Sequence, residues 1–203
     1  MLLITMAHRG EAQEFIKRKY TQPTEFYFRG IYRSNEDILL LTGEGIQSTT
    51  IRLTAVCTYF GNKIDRVINM GIAGALDPAL QLNQIYGIRR VCHEFSDNPE
   101  YGSFQCVETF SKYDCITACR RVNDDKYAAD LKNRAQIVDR ELWAIGSVSS
   151  HFNLPFKSYK LISDYAGKIT DSGQIRENAF DYSKHLFDFY KNLSFSKEEW
   201  EDN

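Results

Sequence analysis

The chain has 203 residues, with 25 Lys and Arg against 27 Asp and Glu, a net charge of −2, and 43% hydrophobic residues. That length fits a single domain over residues 1–203 with a real core, and the balanced charge offers no surplus for a nucleic-acid backbone. No apolar run reaches the roughly 18 residues that cross a bilayer, and residues 1–6 are too short for a signal peptide, so a cytoplasmic protein is expected, with neither membrane nor nucleic acid as partner.

Met1–Met6 is a short, continuously apolar run, which suits a strand buried on both faces. Ala12 to Tyr20 reads as a helix, Glu25 to Tyr32 is aromatic and partly alternating around Gly30, and Ile38–Leu41 is a second buried strand. From Ile46 to Phe60 the apolar positions recur at helical spacing, and Gly61-Asn62 is a stop signal. Arg66–Met70 reads as a third buried strand closing on a Gly71-Ile-Ala-Gly74 turn. Further strands are expected at Ile85–His93, Ser103–Phe110, Asp114–Cys119 and Ile137-Val138, then a helix over Glu141–Phe152 and a last strand over Phe156–Ile162. Ile175–Leu193 reads as an amphipathic helix with Ile175, Ala179, Tyr182, Leu186, Phe189 and Leu193 on one stripe; residues 195–203 read as a frayed polar tail.

Alternating strands and helices predict an α/β fold, a three-layer α/β/α arrangement around a central mixed sheet. The five cysteines are odd in number and match no zinc or redox spacing, so they read as reduced, mostly buried thiols. The four histidines show no metal-binding spacing, and neither a metal nor a cofactor is expected. In such sheets ligands bind beyond the carboxyl ends of the strands. Those ends carry Glu11, Gly43-Glu-Gly45, Gly71-Ile-Ala-Gly74, Asp139-Arg-Glu141 and Ser163-Asp164. Each alone reads equally as a helix cap, a solvated charge or a tight turn.

Their joint order resembles the nucleoside phosphorylase and nucleosidase superfamily, particularly the 5′-methylthioadenosine/S-adenosylhomocysteine nucleosidases. The resembling segments are Ala7-His-Arg-Gly-Glu11, Thr42-Gly-Glu-Gly-Ile46, Val67-Ile-Asn-Met-Gly-Ile-Ala-Gly74, Val138-Asp-Arg-Glu141, Asn153-Leu-Pro-Phe156 and Ile162-Ser-Asp-Tyr-Ala166. The resemblance implies a purine nucleosidase in which Asp164, supported by Ser163, is the general acid at the purine. Glu11 is the base that activates water, and Glu141 accepts the ribose hydroxyls. Ala73 and Gly74 line the sugar site, with glycine leaving room for it, and Arg121 and Val122, in a Cys115–Val122 segment similar to the family's purine-recognising one, offer backbone groups to the purine edge, although Arg120-Arg121 reads equally as a solvated pair. It also implies a homodimer, to whose surface Phe104, Phe110, Tyr113 and Phe152 are candidate contributors, although core packing suits them equally.

Several residues depart from the family pattern. Asp139 and Lys160 stand where the nucleosidases have Glu and Arg, Arg140 replaces a Met beside the 5′ substituent, and the stretch from His93 to Asp114 is shorter. Arg140 is expected to pair with Asp139 or Glu44, or to meet a polar group on the substrate's 5′ arm. Asn69 stands where the phosphorylases carry a phosphate-binding Arg, which favours water as the nucleophile. Arg9 and Ser48 keep phosphorolysis open as an alternative, as is a non-catalytic nucleoside-binding relative.

Overall fold

A computed structural model describes residues 1–35, 37–96, 102–107, 111–167, 175, 177–193 and 200. The strands are β1 (Leu2–Met6), β2 (Gln22–Pro23), β3 (Ile31–Ser34), β4 (Asp37–Leu41), β5 (Arg66–Ala75), β6 (Ile85–His93), β7 (Ser103–Gln105), β8 (Tyr113–Thr117), β9 (Ile137–Asp139) and β10 (Phe156–Tyr165). The helices are α1 (Gln13–Arg18), α2 (Ile46–Phe60), α3 (Asp125–Lys132), α4 (Leu142–His151) and α5 (Ala179–Lys191).

One mixed sheet holds all ten strands. From β5 it runs outward through β1 and β4 in parallel, then through β3 and β2 antiparallel. On its other side β5 pairs with both β10 and β9, and β10–β6–β8–β9 completes a ring of five strands. Side-chain alternation explains the double-sided burial of β1: Leu2, Ile4 and Met6 face the cluster formed with α1 and α5, while Leu3 faces the one formed with α2 and α4. The three layers and mixed sheet are therefore as expected from the sequence.

The apolar runs of β1, β4 and α2 lie where the sequence puts them, and α2 ends at Gly61 with φ 52°. Four cysteines are buried and Cys119 is exposed. Other expectations need correction. Gly71–Gly74 is not a turn but strand, because Gly74 pairs with Val138 on one side and Asp164 on the other. Likewise β10 continues past Ile162 to Tyr165, with a register shift between Ile162 and Asp164. Ser163 and Asp164 thus sit at a bulge inside a strand, a device that re-aims side chains.

Helix α3 escapes the sequence reading since Leu131 is its one fully buried side chain. The buried stripe of α5 is Tyr182, Ser183, Leu186, Phe187 and Tyr190; Ile175, Phe189 and Leu193 flank it, and Ala179 lines the cavity described below. The tail is not wholly frayed: Trp200 is buried in the α1–α5 cluster, with the Lys157 ammonium 4.8 Å and the Arg66 guanidinium 5.5 Å from its ring centre. Residues 194–199 and 201–203 lie outside the described residues. So do residues 108–110 of the strand expected at Ser103–Phe110, of which β7 covers Ser103–Gln105.

Candidate active site

A cavity of about 410 Å³ opens at the carboxyl ends of β1, β5, β9 and β10. Its lining includes Glu11, Ala73, Gly74, Arg121, Val122, Arg140, Glu141, Ser163 and Asp164, all nine of the sequence-derived candidates. A concave site of that size suits a small-molecule ligand. Among the described residues no group of metal-ligating side chains converges, and no helix is long and apolar enough to cross a membrane.

The chain brings Glu11 in on the loop between β1 and α1, and its carboxylate is buried. The Ile72 N–H donates to Oε1 at 3.3 Å and the His8 N–H to Oε2 at 3.4 Å. A Cβ on Gly71 would stand 3.4 Å from Oε2, so a glycine in mid-strand makes room for this carboxylate. Burial raises the Glu11 pKa, against the opposing pull of His8, the Ile72 N–H and Lys160. Gly74, by contrast, is demanded by protein packing: its Cβ would meet Val138 Cγ1 at 3.3 Å and Ala166 Cβ at 3.4 Å. Gly74 also lines the cavity, so the room left by its missing side chain serves both this packing and the cavity wall.

Glu141 and Asp139 divide two roles that look alike in the sequence. Asp139 Oδ2 accepts the Leu142 N–H at 2.9 Å, a helix-end bond, and also accepts Lys160 Nζ at 2.7 Å; Oδ1 accepts the Thr117 hydroxyl at 2.7 Å. All three of these bonds run to groups within the fold. Glu141, at the N-cap of α4, makes no side-chain cap bond and instead accepts the Gly45 N–H at 2.7 Å. That contact depends on a loop in which Gly43 (φ 74°) and Gly45 (φ 85°) are both left-handed. The departures at Asp139 and Lys160 prove to be one feature, a buried ion pair beneath the cavity.

Burial pushes the Glu141 pKa up to about 8, with Asp139 adding to the rise and Lys160 and the Gly45 N–H opposing it. Burial pulls the Lys160 pKa down, but Asp139 together with Cys115 and Glu141 more than offsets this, so the ammonium stays charged. The native chain therefore holds a proton on Glu141 that an unfolded chain, titrating near 4.5, has released. Native stability should fall as pH rises between those two values. Melting temperatures at pH 5.5 and pH 8 should show this decline in wild type and a flatter profile in Glu141→Gln. An unchanged slope in the variant would place the effect elsewhere.

Ser163 Oγ donates to Asp164 Oδ1 at 2.6 Å, the supporting contact expected for the acid. The Val122 carbonyl accepts the Gly167 N–H at 3.0 Å, so that backbone group is engaged within the fold. Arg140 pairs with Glu44, not Asp139, and its Nη2 donates to the Cys119 carbonyl at 3.4 Å. Phe104, Tyr113 and Phe152 pack half-buried on the α2–α4 cluster, and Phe110 lies outside the described residues. Arg9 is held on the Tyr32 hydroxyl and Ser48 on the Thr42 carbonyl, and neither lines the cavity. Sequence reasoning passed over Gly71 and the partner of Lys160. A lysine inside the apolar run Phe156–Ile162 is the available signal, since a buried ammonium demands a carboxylate.

Residues 2–124 match the family model of the phosphorylase superfamily. The chain is 25% identical over 191 aligned positions to a 5′-methylthioadenosine/S-adenosylhomocysteine nucleosidase of Staphylococcus aureus, covering 77% of this chain and 83% of that one. Its fold is similar to that of a futalosine hydrolase mutant of Helicobacter pylori, with a TM-score of 0.80 at 15% identity, covering 94% and 96% of the two chains. A Streptococcus pneumoniae MTA/SAH nucleosidase solved with 8-aminoadenine gives 0.80 at 16% identity, covering 95% and 99%. With the family model spanning more than half of its length, the chain belongs to the phosphorylase superfamily.

Proposed function

We propose that this protein is a purine nucleosidase that hydrolyses the N-glycosidic bond of an adenosine-type nucleoside to free base and sugar. The observation that carries the reading is one cavity holding Glu11, Glu141 and the Ser163-supported Asp164, with the cation beneath it committed to Asp139. Asp164 gives its proton to purine N7 as the C1′–N9 bond breaks, and the bonding electrons leave with the base. Water attacks C1′ from the opposite face and loses its proton to Glu11. A buried glutamate with a raised pKa is a stronger base than a surface one. Glu141 accepts the ribose hydroxyls and holds the sugar for attack. Ala73, Gly74 and the Arg121–Val122 segment complete the walls around sugar and base.

Water is favoured over phosphate on electrostatic grounds. Lys160 is already neutralised by Asp139, so a phosphate dianion at the sugar would meet the ionised Glu11 with no buried cation left to offset it. Asn69 is tied between the Thr5 carbonyl and the Ser158 hydroxyl. The names of the similar proteins, methylthioadenosine/S-adenosylhomocysteine nucleosidase and futalosine hydrolase, fit a nucleoside substrate. A single domain over residues 1–203, a cytoplasmic location, a homodimer and the lack of any cofactor belong to the same reading. A panel of purine nucleosides, incubated with and without phosphate and followed by chromatography, should release free base at a rate indifferent to phosphate. Strict phosphate dependence would instead establish the phosphorylase.

A further inference from the structure

Charge in the cavity is stratified. The floor is acidic and buried, whereas three guanidinium groups line the rim: Arg120 and Arg121, both exposed, and Arg140, one-third exposed. Two chain segments supply them, and the bond from Arg140 Nη2 to the Cys119 carbonyl holds the segments together. Their internal commitments differ. Arg120 stacks 4.3 Å from the Tyr127 ring centre and lies 3.6 Å from Asp124. Arg121 has no partner among the described residues. Arg140 is shared with Glu44, itself half exposed, and its Nε is buried without a hydrogen-bond partner. A guanidinium has five N–H donors, and this one leaves part of that capacity unused.

The position relative to the sugar gives the rim its meaning. Arg140 is the immediate neighbour of Glu141, and Gly45, whose N–H binds Glu141, would carry a Cβ 3.7 Å from Arg140 Nη2. A ribose held by Glu141 therefore has the Glu44–Arg140 pair beside it. An apolar 5′ substituent there would desolvate an ion pair with no return, whereas a carboxylate would meet a planar fork that grips it with two parallel bonds.

We propose that this basic rim selects nucleosides whose 5′ arm ends in a carboxylate, with Arg140 gripping the anion and Arg121 steering it in. The proposal rests on the nucleosidase reading and names its substrate class. On binding, the arm's carboxylate competes with Glu44 for Arg140, so Glu44 sets how readily the rim accepts an anion.

The test compares two adenosine derivatives that differ in the arm's charge: 5′-methylthioadenosine and its 5′-carboxymethylthio analogue. Base release by the wild type should favour the carboxylate. Arg140→Met should lower the carboxylate-to-neutral ratio of kcat/KM about 10- to 100-fold, the loss of one charge-assisted pair. Arg140→Lys should fall between, having charge but no fork. Glu44→Gln should raise the ratio several-fold by removing the competing carboxylate. Added salt should raise KM for the charged arm alone. Calorimetric binding of both compounds to Asp164→Asn reads the preference without turnover. Base release without any preference, or a ratio unmoved in all three rim variants, overturns the rim proposal and leaves the nucleosidase intact. Release from no nucleoside overturns the nucleosidase reading, and binding then still decides the rim.

Discussion

Asp164→Asn and Glu11→Gln should each lower kcat by about 10²- to 10⁴-fold while the protein stays folded, the range for losing one proton-transfer group. That corresponds to about 3–5 kcal/mol of transition-state stabilisation. The two substitutions are nearly isosteric and act at different ends of the breaking bond. Asp164 lies at a strand bulge, where Ser163 Oγ can still donate to the remaining amide oxygen, so the local geometry survives. Glu11 is more demanding, because it accepts N–H groups on both oxygens. A glutamine would set its NH₂ against one of them, so about 1–3 kcal/mol of stability is expected to go with the activity. Circular dichroism and melting curves separate the two effects from single-turnover base release. A well-folded Asp164→Asn protein with near-wild-type turnover would remove this residue from the mechanism.

The expected pH dependence distinguishes the two roles further. Glu11 has to be ionised to take the water's proton, and burial sets its pKa above the ordinary glutamate value. The acid limb of kcat/KM in the wild type should therefore lie above the usual carboxylate range.

What the sequence made legible follows from the kind of constraint involved. Strands such as Leu2–Met6 and Asp37–Leu41 are buried on both faces, and that condition writes itself as an uninterrupted apolar run. Helix α2 displays its period because one side packs on the sheet while residues such as Ile51 and Tyr59 remain exposed. Gly71–Gly74 was misleading because glycine signals a turn only when the backbone needs a positive φ. Here the glycines serve close approach, of Glu11 at Gly71 and of Val138 and Ala166 at Gly74. Helix α3 left little trace because it lies against the surface.

At the site, the convergence of Glu11, Glu141 and Asp164 was readable from their places at strand ends. The division between Asp139 and Glu141 was not. Asp139 and Glu141 are two residues apart and both acidic, yet one caps α4 and neutralises Lys160 while the other is held by Gly45, 96 positions away. Such roles are assigned by tertiary partners, which local pattern does not encode.

Lys160 is where that tertiary assignment has its largest expected consequence. Its ammonium is 2.7 Å from Asp139 Oδ2, and both side chains are almost fully buried, at 2% and 1% exposure. Asp139 also receives the Thr117 hydroxyl and the Leu142 N–H, so the carboxylate is fixed at the start of α4 whatever Lys160 does. Lys160→Met keeps the length and apolar stem of the side chain but leaves Asp139 as an uncompensated buried charge. Breaking a buried pair in this way costs about 3–5 kcal/mol. For a chain of this size the melting temperature should fall by roughly 10 °C. Adding Asp139→Asn removes the stranded charge and keeps an acceptor for the Leu142 N–H, while its NH₂ turns to the Thr117 oxygen, whose hydroxyl has to rotate away. The double variant should therefore regain part of the loss, and the two substitutions should be clearly non-additive. Catalysis should respond as well, because Lys160 opposes the burial-driven rise at both Glu11 and Glu141. Without it both carboxylates should hold their protons to higher pH, and the acid limb of kcat/KM should move upward in Lys160→Met. Retention of both the wild-type melting temperature and the wild-type pH profile in Lys160→Met would show that the pair neither anchors α4 nor tunes the cavity.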